Sequence, residues 1–464
     1  CTNLVTRTIV IFQRLLRQIY IQVSILTSLV SFVTGLFSVT MQRSKLVSKS
    51  LLFAAVALIV LATLVVPASA AELTVGAGGQ YTTIQQAVDA AKSGDTIRVA
   101  PGTYTENVVV SKSLMVTAAS GRPTVQAADA SKDVFLLTSP GVRIEGLTIT
   151  GGASGVQIQG TSKCIVTNVV ARDNVRGVYL SHSTENEISK NNLADNSYGV
   201  YGDSASSNTI ASNVATGEKG SSSALGDGIF LNYGDSNKIT GNNLSANHVF
   251  GISIYTSTQN IISNNTMSDN DNVGVRLGPG SNNNTLTFNT IANNGQISQQ
   301  ASQNFPTGGI LIVSATDNRL YLNNFINQPT AILGASAAIL NSPEKMVYTF
   351  NGVEQTSYMS NYYSDYKGTD ANGTGIGSTP SAYGDKFPLI QSVTSYGTIT
   401  LVSAVTPTPS PQSQNSTTVS NNQSISGIQV PSFPGFEVLS IIVVFAVVGL
   451  AIAYFILRRP PPSE

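Results

Sequence analysis

Along the middle of the chain, apolar and polar residues alternate in bursts of four or five, and the bursts recur. The pattern Gly-[Val/Ile]-x-[Ile/Leu] stands at Gly155-Val156-Gln157-Ile158, Gly177-Val178-Tyr179-Leu180, Gly228-Ile229-Phe230-Leu231, Gly251-Ile252-Ser253-Ile254, Gly274-Val275-Arg276-Leu277 and Gly309-Ile310-Leu311-Ile312. Gly199-Val200-Tyr201-Gly202 is a degenerate copy. A period of two puts the apolar residues of each burst on one face of a strand. The leading glycines are 22, 22, 29, 23, 23 and 35 residues apart. The two long steps hold Gly/Ser-rich and Gln-rich inserts at 217–225 and 295–307, so the underlying period is 22–23.

A second pattern, Asn-x-[Ile/Leu]-x-x-Asn-x-apolar, is offset within each period. It stands at Asn186/Ile188/Asn191/Leu193, Asn237/Ile239/Asn242/Leu244, Asn260/Ile262/Asn265/Met267, Asn284/Leu286/Asn289/Ile291 and Asn318/Leu320/Asn323/Phe325. Weaker versions read Lys163/Ile165/Asn168/Val170 and Asn208/Ile210/Asn213/Ala215. The segments are too short for helices and lack their 3.6-residue spacing. Between them stand Asn, Gly, Ser and Asp, which tolerate left-handed turns. Two or three short strands in a constant period describe a coil that returns onto itself, each turn pairing with the next about 4.8 Å away. Equivalent residues then stack, Ile on Ile inside and Asn on Asn at the corners. The expected fold is all-β, a right-handed single-stranded parallel β-helix.

The ends complete that picture. Ile84, Ala87, Val88 and Ala91 recur at helical spacing within Tyr81–Ala91, with Thr82 or Thr83 as N-cap, and Thr96-Ile97-Arg98-Val99 starts a strand. Such a helix would cover the open end of the stack and block edge pairing. Near the C-terminus, Val438–Leu457 is free of charge and long enough to cross a bilayer, with Arg458 and Arg459 behind it. The organisation expected is therefore an upstream extension (1–40), a signal peptide starting at Met41 (41–70), the capped β-helix (71–340), a closing segment (341–395), a Ser/Thr/Pro-rich stalk (396–433) and an anchor (434–464).

Composition narrows the function. Charged residues make up 11% of the chain. All six charges in residues 1–70 are Lys or Arg, which leaves 19 basic and 25 acidic groups beyond them. A mildly acidic body lacks the clustered cations that nucleic acid needs, so no nucleic acid is expected as a partner. Cys164 is the single cysteine after Cys1, so disulfides do not hold the fold, and a small buried side chain is its expected role. Six Asn-x-Ser/Thr sequons lie at Asn243, Asn264, Asn283, Asn372, Asn415 and Asn422.

The stretch from Gln80-Tyr81-Thr82-Thr83-Ile84 to Gly102-Thr103-Tyr104-Thr105-Glu106 resembles the N-terminal cap of pectin-lyase-like β-helices. The repeats resemble the NosD-like branch of that superfamily. Asn361-Tyr362-Tyr363-Ser364-Asp365-Tyr366-Lys367-Gly368-Thr369-Asp370, with Lys386-Phe387-Pro388-Leu389 after it, resembles the closing segment of archaeal NosD-like surface proteins. Pro434-Gly435-Phe436 ahead of the apolar run resembles the archaeal PGF-CTERM sorting tail, which implies exchange of the tail for a lipid. These resemblances imply a protein on the outer face of the membrane or in the cell envelope, with extracellular glycans or envelope proteins as partners.

NosD-like proteins are also described as copper-associated, which would make this chain a copper accessory protein. Copper needs clustered His, Cys or Met, whereas His182 and His248 are separated by three repeats, so no metal ligands are assigned. Calcium near Asp370 and Asn372 is considered because the loop 370–375 has oxygen donors at every second residue. No catalytic residues are assigned either. A surface polysaccharide lyase, hydrolase or epimerase is the alternative, but it would need converging carboxylates or a base. The outward rows of the Gly-led strands read Gln157, Tyr179, Tyr201, Phe230, Ser253, Arg276, Leu311 and Gln159, Ser181, Asp203, Asn232, Tyr255, Gly278, Val313. Tyr179, Tyr201, Phe230 and Tyr255 should form a flat aromatic strip, with Asp203, Asn232 and Arg276 at its rim, suited to a sugar ring. The competing expectation is that these aromatics only stack across strands and stabilise the sheet.

Overall fold

The computed structural model describes residues 70–220, 226–296 and 306–401. The expected extension, signal peptide and anchor, and nearly all of the stalk, lie outside these residues. Within them the chain winds through three stacked parallel faces. One is a twelve-stranded sheet and one a ten-stranded sheet. The third has a four-stranded sheet at each end, joined by single bridges through Val170, Asn192, Val214, Asn243 and Thr266.

The register follows the sequence period. Val156, Val178, Val200, Ile229, Ile252, Val275 and Ile310 pair in turn on the ten-stranded sheet. Val166, Ile188, Ile210, Ile239, Ile262, Leu286 and Leu320 pair on the twelve-stranded sheet. All fourteen side chains have 0% exposure and belong to one continuous core. The leading glycines are required by close approach. A Cβ on Gly177 or Gly228 would stand 2.7 Å from the carbonyl oxygen of the glycine one rung on.

Corners carry the polar half of the fold. At one, Asn186, Asn208, Asn237, Asn260, Asn284 and Asn318 form a ladder. From Asn186 to Asn284, each backbone N–H and each side-chain Nδ2 donates to the Oδ1 of the next asparagine at 2.8–3.2 Å, and the Asn318 Nδ2 at the end is left without a partner. A second ladder runs Asn191, Asn213, Asn242, Asn265, Asn289, Asn323, Asn361. Its amides also donate inward, as Asn265 Nδ2 does to the Ile239 carbonyl at 2.9 Å. The buried corner backbone thus finds partners that water cannot reach to supply. Up to Asn323, the residue before each ladder asparagine is left-handed, as at Glu185 (φ 56), Ser212 (φ 56), Asn264 (φ 57), Asn283 (φ 57) and even Phe288 (φ 57). That conformation costs a non-glycine residue about 1–2 kcal/mol, which the ladder bonds must offset.

The structure corrects the register of the weaker repeat. Cys164, not Lys163, occupies the ladder place: its N–H donates to Asn186 Oδ1 at 2.9 Å, and Lys163 is the left-handed residue before it (φ 59). Val169 likewise replaces Asn168, and Val166 and Ala171 point inward in place of Ile165 and Val170. Sequence reasoning also missed a third ladder ahead of the Gly-led strands, Asn174, Asn196, Glu218, Asn247, Asn270, Asn294. Glu218 takes an asparagine's place. Its Oε2 accepts the Asn196 N–H at 2.7 Å while its buried Oε1 has no partner, and burial pushes the carboxyl well above its ordinary range.

At the N-terminal end, α1 (Ile84–Ala90) covers the stack; Thr83 caps it by accepting from the Gln86 N–H at 3.2 Å. Glu106 also accepts the Ile84 and Gln85 N–H groups at 2.8 and 3.0 Å. Tyr362–Tyr363 adds a last parallel rung at the other end. Beyond it, Met346–Phe350 pairs antiparallel with Val353–Ser357 and with Thr400–Leu401, so the closing unit runs on past residue 395. The second ladder finishes on Asp385, whose Oδ2 accepts from Ser360 Oγ at 2.6 Å and from the Asn361 N–H at 3.4 Å. Burial raises that carboxyl from 3.8 to about 6 against these bonds.

Two outcomes are expected. Asn265→Ala strands the Asn242 N–H, the Asn242 amide and the Ile239 carbonyl, each worth about 1–3 kcal/mol, so urea denaturation should show a loss of about 3 kcal/mol or more. The exposed neighbour Asn243→Ala should lose under about 0.5 kcal/mol. For Asp385, the folded protein holds the proton more tightly than the unfolded chain. Its contribution to stability is therefore complete below the ordinary value of 3.8 and is lost as pH rises to about 6, by at most about 3 kcal/mol. Asp385→Asn should flatten the stability profile between pH 4 and 6, whatever its constant offset.

Candidate functional site

The outer face of the ten-stranded sheet gathers the chemistry. Tyr179, Tyr201 and Phe230 are in register on successive rungs. Asp203, Asn232 and Tyr255 follow in register one row over, and Arg276 stands on the rung after Tyr255. All seven expected site residues thus lie on one face, each half-buried. Asn232 Nδ2 donates to Asp203 Oδ1 at 3.1 Å, and the Arg276 guanidinium lies 5.4 Å from the centre of the Tyr255 ring.

Arg176, Tyr198 and Phe250, directly before leading glycines, were missed in the sequence and complete the face. The Arg176 guanidinium lies 4.7 Å from the Tyr179 ring centre and 5.0 Å from that of Tyr201. Tyr198 stands edge-on to Tyr201 at 5.1 Å and 70°. Phe250 packs with Val249, Val273 and Leu311 in a small apolar cluster outside the main core. A bulky or charged residue ahead of four of the glycines (Arg176, Tyr198, Asp227, Phe250) was the available signal. The glycine turns inward at the corner, so its predecessor joins the outer face.

The expected flat strip is corrected by the ring angles. Tyr179 meets Tyr201 at 76° and 5.4 Å, whereas Tyr201 and Phe230 stack at 23° and 5.0 Å. The rings turn their faces to one another and to Arg176, as cross-strand neighbours spaced by one rung do. Tyr201 and Phe230, stacked along the sheet, offer ring edges outward, with polar groups among them. Four positions of the outward rows are also corrected: Ser181, Ser253, Gly278 and Leu311 are buried.

Three carboxylates belong to this face. Asp203 is held by Asn232. The Gln157 amide, turned to donate, reaches the Asp133 oxygens at 2.5 and 3.2 Å, and burial raises the Asp133 carboxyl. Asp227 opens the strand Asp227–Asn232 with 0% exposure. Burial pushes it well above the carboxylate range, and the Phe250 backbone N–H and the Arg276 charge only partly oppose this.

Elsewhere, a cleft of about 240 Å³ opens in the closing unit between Tyr366, Lys367, Pro380 and Tyr383. At its base Tyr363 is sandwiched between Phe325 and Tyr383, at 5.3 and 5.0 Å. The loop considered for calcium is closed by its own backbone. Asp370 Oδ1 accepts the Thr374 N–H at 3.0 Å, and Oδ2 accepts the Gly375 N–H at 2.7 Å.

Comparison with known proteins gives three findings. The sequence model of the family described as "Periplasmic copper-binding protein (NosD)" matches residues 88–307 and 222–368. A "Cell surface glycoprotein" of Methanothermus fervidus is 36% identical over 90 residues, 19% of this chain and 15% of that protein, so the match spans a small part of its length. Among solved structures, an alginate lyase from Paenibacillus sp. str. FPU-7 has a TM-score of 0.43 and 16% identity, covering 55% of this chain and 95% of that one. The A-module of a mannuronan C-5 epimerase from Azotobacter vinelandii has a TM-score of 0.42 and 15% identity, covering 54% and 89%.

The residues present do not fit a copper ion. Among the described residues, no three His, Cys, Asp or Glu side chains converge at metal-binding distance. His182 and His248 sit on different corners three rungs apart, and His248 Nδ1 is 3.2 Å from Asp271 Oδ2. Cys164 is buried with its thiol against the Ser139 carbonyl at 3.4 Å, and burial raises its pKa, which opposes the thiolate that copper prefers.

Asp227 allows a direct test of the electrostatics on this face. With its folded pKa raised, it supports stability below the ordinary value of 3.8, and that support is lost as pH rises toward the folded value. Asp227→Asn, an isostere of the neutral acid, should match the wild type near pH 4. At pH 8 it should melt higher than the wild type, as calorimetry at the two pH values would show.

Proposed function

The chain belongs to the NosD family, and from that premise we propose that it is a cell-surface β-helix whose ten-stranded outer face binds extracellular carbohydrate rather than copper. The observation that carries this reading is the convergence of Tyr179, Tyr198, Tyr201, Phe230 and Tyr255 with Arg176, Arg276 and the Asp203–Asn232 pair on one sheet face. Ring edges supply apolar contact to the C–H groups of a sugar, while phenol hydroxyls, the Asn232 amide and the guanidinium groups supply hydrogen bonds to its hydroxyls. A rigid solenoid repeats these groups at the rung spacing, which suits an extended chain of sugars better than a single one.

Binding is favoured over turnover by the state of the acids. Asp203 is held by Asn232, Asp133 by Gln157, and Asp227 is covered, so none of them is an open acid–base pair. The surface setting draws on the family and on the Methanothermus relative's name. The expected tail anchor would hold the face outside the membrane, where envelope glycans or envelope proteins are the available partners.

A glycan array probed with the full chain tests the reading. Wild-type protein should bind a subset of polysaccharides, and the Asp203→Ala/Asn232→Ala double variant should bind at least tenfold more weakly with a melting temperature within a few degrees of wild type. Absence of binding to every glycan, or equal binding by the variant, would overturn it. Release of reducing ends or unsaturated products from a bound polysaccharide would instead assign an enzyme to this face.

A further inference from the structure

Asparagine serves two purposes in this chain, and the ladders separate them. The eighteen asparagines of the three ladders are at most 5% exposed, with their amides bonded along the axis or to corner carbonyls. In the first two ladders the residue two places on is an inward one, such as Ile188, Leu244, Met267 or Ile291, because strand alternation returns to the core there. A ladder asparagine in those positions therefore cannot be followed by the hydroxyl of an Asn-x-Ser/Thr sequon. Asparagines one residue out of phase meet the opposite condition, since their second neighbour points outward.

All four sequon asparagines among the described residues, Asn243, Asn264, Asn283 and Asn372, are exposed. Asn264 and Asn283 are the left-handed residues before ladder asparagines (φ 57 each), at the tips of the corner turns. Asn243 stands next to the same corner as Asn264, one rung earlier; its Oδ1 accepts from its own sequon hydroxyl, Ser245 Oγ, at 2.7 Å. Asn372 caps the loop that Asp370 closes in the final unit. Asn243, Asn264 and Asn283 border the two edges of the twelve-stranded sheet, and none lies in the outward rows of the ten-stranded sheet.

We propose that Asn243, Asn264, Asn283 and Asn372 are N-glycosylation sites, and that the attached glycans are rooted at the corners and in the closing unit, outside the aromatic rows. The donor is an oligosaccharide activated as a lipid-linked glycosyl phosphate or pyrophosphate, delivered by a transferase. The side-chain nitrogen attacks the anomeric carbon. A C–N bond forms, the C–O bond to the phosphate breaks, the phosphate leaves with that electron pair, and a base on the transferase takes the amide proton. The inference rests on the asparagine geometry and stands whether or not the ten-stranded face binds sugar.

The full-length protein recovered from the surface of cells that make it, digested and measured by peptide mass spectrometry, tests this. Peptides carrying these four asparagines should show oligosaccharide mass increments, while ladder asparagines such as Asn265 and Asn284 stay unmodified. Thr266→Val and Thr285→Val remove only the sequon hydroxyl, keep the branched strand side chain, and leave each asparagine in its left-handed turn, where glutamine would be strained. Each should abolish the increment at Asn264 or Asn283 alone, without moving the melting temperature by more than a few degrees. Unmodified asparagine at all four positions, modification within a ladder, or increments that survive both valine variants would overturn the proposal.

Discussion

A buried asparagine amide that can be satisfied only by the next asparagine along the axis is the constraint on which this molecule depends. Its Oδ1 must take the backbone N–H and the Nδ2 of the rung before, and its own donors must reach the rung after and a corner carbonyl, as Asn242, Asn265 and Asn289 show. Every rung must then present an equivalent residue at one height, which holds the period at 22–23 and confines the extra residues of the two long steps to the stretch of chain between the third ladder and the ten-stranded sheet. It also explains why residues as bulky as Phe288 and Leu322 accept left-handed backbone immediately before a ladder position. Interruptions test the rule: Cys164 starts a ladder with its N–H on Asn186 and its thiol on the Ser139 carbonyl, and Glu218 holds its place as a buried acid with one idle oxygen.

Because the corners carry the backbone's polar load, the outer faces are free to vary. The twelve-stranded face is rich in small hydroxyl residues, with Ser189 Oγ on Thr167 Oγ1 at 3.3 Å and Ser263 Oγ on Thr240 Oγ1 at 3.2 Å. On the ten-stranded face aromatic rings, two guanidinium groups and a carboxylate–amide pair share one surface. Among the described residues a metal finds no such concentration, since the soft donors fall on separate rungs or inside the core.

Much of this was legible in the chain alone, for a local reason. Period-two alternation and the recurring glycine and asparagine mark the inward face wherever they occur, so Val178, Ile252 and Val275 could be assigned to one interior from spacing alone. So could α1, whose capping and apolar spacing are contained in a dozen residues, and the placement of the seven expected site residues on one face. The register slipped by one at Lys163 and Asn168 because neither ladder asparagine is present on that rung to mark it.

Tertiary structure decided what depends on the neighbouring rung. Whether Tyr201 shows its face or its edge is set by Tyr198, Phe230 and Arg176, which spacing could place nearby but could not orient. Whether Ser253, Leu311 and Asp227 meet water is set by packing across three rungs and not by alternation within one strand. The third asparagine ladder escaped notice because its distance to the leading glycine is not constant, three or four residues at Asn174, Asn196, Asn247 and Asn270 but 10 at Glu218 and 15 at Asn294, so only stacking of the coils reveals that they share an axis. Alternation is a property of one strand and survives in sequence; orientation and burial on an outer face belong to the stack.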